Sequence, residues 1–171
     1  MNIRHLVLCA TWASMACLGL GVEASAETVV RQHYSHGTAS CQGALPVFDG
    51  RLRKRPLAFA NEGTANAFVT CDTDSFSVAS EGTFTLISMY FHNHGAGTPA
   101  IACTLVDVGA SSTTYLPKTT GPIAPGEGSF ILWAAADNGG ALFRSPAISC
   151  NLPPQTQIDA VGFAYREDIG A

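Results

Sequence analysis

Residues 89 to 95 read MYFHNHG, placing His92 and His94 two apart at the end of a run of β-formers. On a strand this spacing puts both side chains on one face, and imidazole is a good ligand for copper or zinc. His33 and His36 could complete a four-nitrogen set if the fold brought them alongside. An internal repeat argues for a plainer reading. FANEGTANAFVTC (59–71) aligns without gaps on FHNHGAGTPAIAC (91–103), sharing F-x-N-x-G-x₇-C: Phe59 with Phe91, Asn61 with Asn93, Gly63 with Gly95 and Cys71 with Cys103. His92 then stands where the first copy has Ala60, and His94 where it has Glu62. Each copy reads as a hairpin, with Phe ending one strand and Cys on the returning one; a hairpin that forms with Ala and Glu does not need histidines, and His94 falls inside the Asn-x-Gly turn, off the strand's alternation. The sequence therefore puts two loop histidines ahead of a metal site, and no resident metal or cofactor is expected.

Other side chains that could do chemistry are weaker still. Asp72 and Asp74 flank Thr73 after Cys71, with Ser75 and Glu81 beyond, but the remaining oxygen ligands and the glycine of a calcium loop are missing. As catalytic carboxylates, Asp72 and Asp74 are too close in sequence to flank a substrate unaided. Arg51, Arg53, Lys54 and Arg55 form the basic cluster GRLRKRP, which reads as a solvated loop or an edge strand guarded against aggregation. There is no G-x-S-x-G, no H-E-x-x-H and no glycine-rich phosphate loop.

Positioning these residues falls to a chain of strands. Short runs of Val, Ile, Phe, Tyr and Thr are separated by Gly, Pro, Asn and Asp, and no window has helical periodicity. Strands are predicted over 57–60, 67–71, 83–91, 101–108, 113–116, 130–135, 147–152 and 158–166, with a short one near 28–32 in a loosely structured leading segment. Within 83–91 the apolar phase shifts from Phe84 and Leu86 to Ile87, Met89 and Phe91, the mark of a β-bulge. Pro122, Pro125, Gly126 and Gly128 mark a loop, Asn138-Gly139 a tight reversal, and Pro153-Pro154 a break. Strands with one buried face each predict an all-β, two-sheet β-sandwich, jelly-roll or Ig-like. Both faces of the run around Trp133 are apolar, which predicts a central strand with Trp133 between the sheets. A sugar-binding surface would instead present exposed rings, with Trp133, Tyr115 and Tyr90 as the candidates.

The N-terminus adds a compartment. Arg4, an apolar stretch from Leu6 to about Leu20, and Ala24-Ser25-Ala26 read as a signal peptide over residues 1–26, cleaved after Ala26, leaving a single domain over 27–171. No later stretch is apolar enough to span a bilayer. Arg4 and Glu23 would leave together, so the net charge of −4 persists and gives no electrostatic case for nucleic acid. Cys41, Cys71, Cys103 and Cys150 would remain, an even number that reads as two disulfides in an oxidising compartment. Without a C-x-x-C pair, zinc is disfavoured. Cys41 with Cys71 and Cys103 with Cys150 is the most local of the three pairings.

LRKRPLAFANEGTANAFVTC, AADNGG with the downstream CNLPP, and AVGFAYREDIGA together resemble a group of small secreted bacterial β-rich proteins with no assigned function. The resemblance implies export and a β-rich domain, and carries over no site residue. The function expected is an exported, secreted or periplasmic, non-enzymatic binding module for a protein or glycan. The alternatives are a periplasmic copper or zinc protein using His92 and His94, and a polysaccharide hydrolase with carboxylates from separate strands.

Overall fold

The computed structural model describes residues 27–73, 84–109 and 112–170. The signal peptide expected over residues 1–26 lies outside them, as do Asp74, Ser75 and Glu81. The described strands are β1 (Thr28–His36), β2 (Cys41–Gly43), β3 (Leu52–Lys54), β4 (Phe59–Asn61), β5 (Ala67–Asp72), β6 (Phe84–Asn93), β7 (Ala102–Val108), β8 (Thr113–Thr119), β9 (Gly128–Ala134), β10 (Pro146–Leu152) and β11 (Thr156–Asp168). One four-residue helix, α1 (Gly37–Ser40), and two 3₁₀ turns, Pro46–Phe48 and Ala135–Asn138, complete them.

All pairings are antiparallel. One sheet runs β3-β4-β11-β6-β9, with β1 also on β11, and the other β2-β5-β10-β7-β8. The order β4-β11-β6-β9 against β5-β10-β7-β8 is a jelly roll, which decides between the two sandwich topologies the sequence allowed. From β4 to β11 the chain changes sheet at every connection except the β7–β8 hairpin. Strands that change sheet so often each have one face inward, which is the physical origin of the alternation in the sequence.

Four expectations need correction. The leading segment is not loose: β1 is paired to β11 along its whole length, from Thr28 opposite Asp168 to His36 opposite Ala160. The three-residue strand β2 was not anticipated, whereas β3 is the edge-strand alternative offered for the basic cluster. The two copies of the repeat are not hairpins, because Phe59 and Phe91 lie in one sheet while Cys71 and Cys103 lie in the other. They are corners through which the chain passes between layers. Finally, β9 is an edge strand, not a central one.

The expected bulge is present. Leu86 faces Ala164 and Phe84 faces Tyr165, so Thr85 is the extra residue that rotates the apolar phase of β6. A second shift, at Asp159 between Ile158 and Ala160, re-aims β11.

Both sheets feed one core that includes Trp133, Phe91, Phe143, Ile87, Met89, Leu105 and Ile158. Trp133 is buried, and its indole N–H donates to the Leu116 carbonyl of β8 at 2.8 Å, tying the edge strands of the two sheets together. Lys118 reinforces this seam by donating to the Leu132 carbonyl and to Asp137, both at 2.7 Å. Cys41–Cys71 joins β2 to β5 and Cys103–Cys150 joins β7 to β10, the pairing predicted as most local. All four sulfur-bearing side chains face the core of the same sheet.

Candidate binding face

The structure brings His92 and His94 together, with ring centroids 4.6 Å apart, although His94 has left the strand's alternation. His33 and His36 are not with them. They sit on β1, with β11 between β1 and β6, and the His33 ring lies 5.0 Å from Phe163. Among the described residues, no group of three or more His, Cys, Asp or Glu side chains is gathered as metal ligands would be.

The outward face of the β1-bearing sheet is built in rows set by strand register. One row runs Tyr34–Gly162–Ser88–Leu132, the next His36–Ala160–Tyr90–Phe130, and the next Ala60–Gln157–His92–Gly128. In the first two rows β11 carries only Gly162 and Ala160, so the rings of Tyr34, Tyr90 and Phe130, from three strands, stand beside one another. The Tyr34 and Tyr90 rings are 6.1 Å apart and those of Tyr90 and Phe130 6.2 Å. Tyr34 is 57% exposed and Phe130 61% exposed. Tyr90 raises the Tyr34 phenol pKa above its ordinary value, first through a side-chain hydrogen bond and then through charge repulsion. Beyond the rings, Gln157 donates to Asp159 at 2.5 Å, in the β11 bulge.

At the end of this face lies a cleft of about 380 Å³ lined by Arg55, Glu62, His94, Gln155 and Gln157, with Asn61 at its wall. The two corners build it. Asn61 and Asn93 are fully buried. Asn61 Oδ1 accepts from Gly63 N–H at 3.0 Å, while its Nδ2 donates to the Ala65 carbonyl at 3.0 Å and the Leu152 carbonyl at 2.8 Å. Asn93 does the same toward Gly95 N–H (2.8 Å), Gly97 carbonyl (2.7 Å) and Ile123 carbonyl (2.9 Å). Gln155 bridges the corners: its N–H donates to the Asn61 carbonyl and its carbonyl accepts from His94 N–H, both at 2.8 Å. Its φ is +58°, the one positive value at a non-glycine position among the described residues.

The basic cluster lies beside the cleft on and around edge strand β3, and its arginines have internal tasks. Arg51 donates to the Asn66 carbonyl at 3.0 Å, Arg53 to the Asp49 and Leu52 carbonyls, and Arg55 pairs with Glu62, with Nε at 2.6 Å. Of the candidate sugar-stacking aromatics, Trp133 is buried and Tyr115 lies on the outer face of the other sheet. Tyr90 belongs to the ring cluster, whereas Tyr34 and Phe130 were missed. The signal was there in β9, where Phe130 and Leu132 alternate with the buried Ile131 and Trp133: two apolar faces meant an exposed apolar face on an edge strand, not double burial.

No protein family's model matches the chain, and no curated protein sequence matches it. Among solved structures it is similar to a chain described as "CBM4 structure and function", with 15% identity over 77% of this chain and 91% of that one and a TM-score of 0.38. It is also similar to TmCBM61 in complex with β-1,4-galactotriose, with 9% identity over 80% and 88% and a TM-score of 0.32. Both scores are low, and the functional reading rests on the chain's own geometry.

Proposed function

We propose that this protein is an exported, non-enzymatic glycan-binding module, and that the outer face carrying Tyr34, Tyr90 and Phe130 is its binding surface. The carrying observation is the adjacency of these three rings, two of them more than half exposed, on a sheet whose other face is core. A pyranose presents a flat C–H surface that sheds water against such rings, while its hydroxyls need hydrogen-bonding side chains alongside. Gln157 and His92 occupy the next row. Two disulfides suit an oxidising compartment, which supports export, and among the described residues no helix is long and apolar enough to cross a membrane.

Affinity electrophoresis through gels containing soluble plant and bacterial polysaccharides, with sedimentation on insoluble ones, tests this reading. The wild type should be retarded by at least one polymer, and Tyr90→Ala or Phe130→Ala should migrate freely. Migration unaffected by every polymer, or ring variants retarded like the wild type, would reject it and leave the face to a protein partner.

A further inference from the structure

We infer that the cleft between the two Asn-Gly corners is a second subsite, which takes one unit of a neutral glycan by hydrogen bonding while the neighbouring units lie on the rings; this rests on the glycan reading above. The cleft and the ring face are continuous. Gln157 lines the cleft and faces His92 across the β11–β6 ladder, and His92 stands two residues from Tyr90 on the same side of β6. His94, also in the lining, has its ring 4.6 Å from that of His92. A chain lying over Tyr90 and Phe130 and continuing along β6 meets Gln157 and His92 and then enters the cleft.

The lining fixes the ligand's chemistry. Among the described residues lining it the one Arg or Lys, Arg55, is already held by Glu62, so they offer no unpaired guanidinium or ammonium to a uronic acid or a sulfated sugar. What remains are the amides of Gln155 and Gln157 and the imidazole of His94, groups that both donate to and accept from hydroxyls. About 380 Å³ lies at the lower end of the range for small-ligand sites, suiting one terminal unit and not a polymer segment.

Gln155 supplies an independent pointer. A left-handed backbone position ordinarily goes to Gly or Asn, and a long side chain there is paid for elsewhere in the fold. Here both backbone groups of Gln155 are clamped by the corners, so the strained conformation delivers the side chain to the cleft. Among the described residues its amide reaches only the Glu62 carbonyl, at 3.4 Å. A turn serving the fold alone would be satisfied by glycine.

The test is calorimetric titration with cello-, xylo-, manno- and galacto-oligosaccharides of two to six units, and with oligogalacturonates as acidic counterparts. For the neutral series that binds, wild-type affinity should rise with length, and His94→Ala and Gln155→Gly should each lose at least fivefold on the longest oligomers. Gln155→Gly keeps the left-handed backbone, and His94→Ala alters an exposed residue, so a folding defect in one leaves the other to decide. If Tyr90→Ala abolishes binding while both cleft variants bind every length like the wild type, the subsite is wrong and the ring face stands. Tighter binding of oligogalacturonates overturns the neutral-ligand assignment. A wild type that binds no oligomer yet is retarded by a polymer overturns the subsite alone, and one that binds neither removes both readings.

Discussion

Asn61 and Asn93, on strands β4 and β6 of one sheet, make the same three hydrogen bonds: one accepted from a glycine N–H two residues on, one donated to a carbonyl four residues on, and one donated to a distant carbonyl. The distant partners differ in a telling way. Asn61 holds Leu152, where β10 passes to β11, and Asn93 holds Ile123, where β8 passes to β9. Each asparagine thus closes its own corner and pins a neighbouring crossing, so four sheet-to-sheet connections at one end of the sandwich depend on two side chains.

Replacing either asparagine by Ala should destabilise the protein by about 3 kcal/mol or more, since one buried N–H and two carbonyls lose their partner. Asp should do no better, because its carboxylate cannot donate to the two carbonyls. Urea denaturation of N61A, N61D, N93A and N93D checks this. A loss well under 1 kcal/mol would show that water replaces the amide, against the satisfied geometry seen here.

Gly37 and Gly162 should separate stability from binding. A Cβ on Gly37 overlaps the Ile158 backbone carbonyl, which cannot swing away, so G37A should cost about 2–3 kcal/mol. A Cβ on Gly162 would lie 2.6 Å from Tyr34 Cε1 and 2.7 Å from Ser88 Oγ, and an exposed ring can move. G162A should therefore lose little stability but about fivefold in glycan affinity, or ~1 kcal/mol, through a displaced Tyr34. Thermal melts alongside titrations of both variants read the two effects. An unchanged affinity in G162A would remove Tyr34 from the site.

The two disulfides link cysteines 30 and 47 positions apart in sequence. If they act by restricting the unfolded chain, C41S/C71S and C103S/C150S should each cost about 2–4 kcal/mol and differ by only ~0.4 kcal/mol. Guanidinium titrations of the two double variants would show it. A gap of several kcal/mol would assign the larger effect to packing inside the sheet.

Asp137 gives a pH dependence of definite sign. Lys118 first, and then the Ala134 N–H, hold its carboxyl pKa below the ordinary value. A depressed carboxyl stabilises the fold above its unfolded pKa of about 3.9, and that stability fades as pH falls through the lower folded value. The pair is about one-third exposed, so the effect should stay under ~1 kcal/mol. Melting temperatures of wild type and Asp137→Asn should differ at neutral pH and converge as pH falls below the unfolded value and through the lower folded one. A gap that persists in strong acid would assign the effect to the seam's hydrogen bonds rather than to ionisation.

Much of this architecture is legible in the sequence, and the limits have physical reasons. The Thr85 bulge could be seen because a rotated strand must shift its apolar phase, and the cysteine pairing because short loops favour local partners. The repeat revealed its turn, but an Asx turn reverses a chain equally well within a sheet or between sheets, so the corners were mistaken for hairpins. β1 past Gln32 was hidden because half its side chains face water and it is held by backbone bonds. The cleft was invisible because Arg55, Glu62, His94, Gln155 and Gln157 converge only when two corners and the β10–β11 crossing meet. Phe130 and Leu132 carry the plainest lesson: an edge strand apolar on both sides presents a surface.

β1 is held by a single ladder to β11, and its first residue lies opposite the end of that strand, where Glu27 and Gly170 also bond. Tension across these adjacent ends loads the rungs one at a time, like a zipper, instead of shearing them together. β1 should therefore be the mechanical fuse of the molecule, peeling away at low force while the stapled sheet stays closed. In an optical trap this reads as an early lengthening of roughly 3.4 Å per released residue before the main rupture. Peeling would take Tyr34 away from Tyr90, so a glycan spanning both rings would raise the force at which the fuse opens.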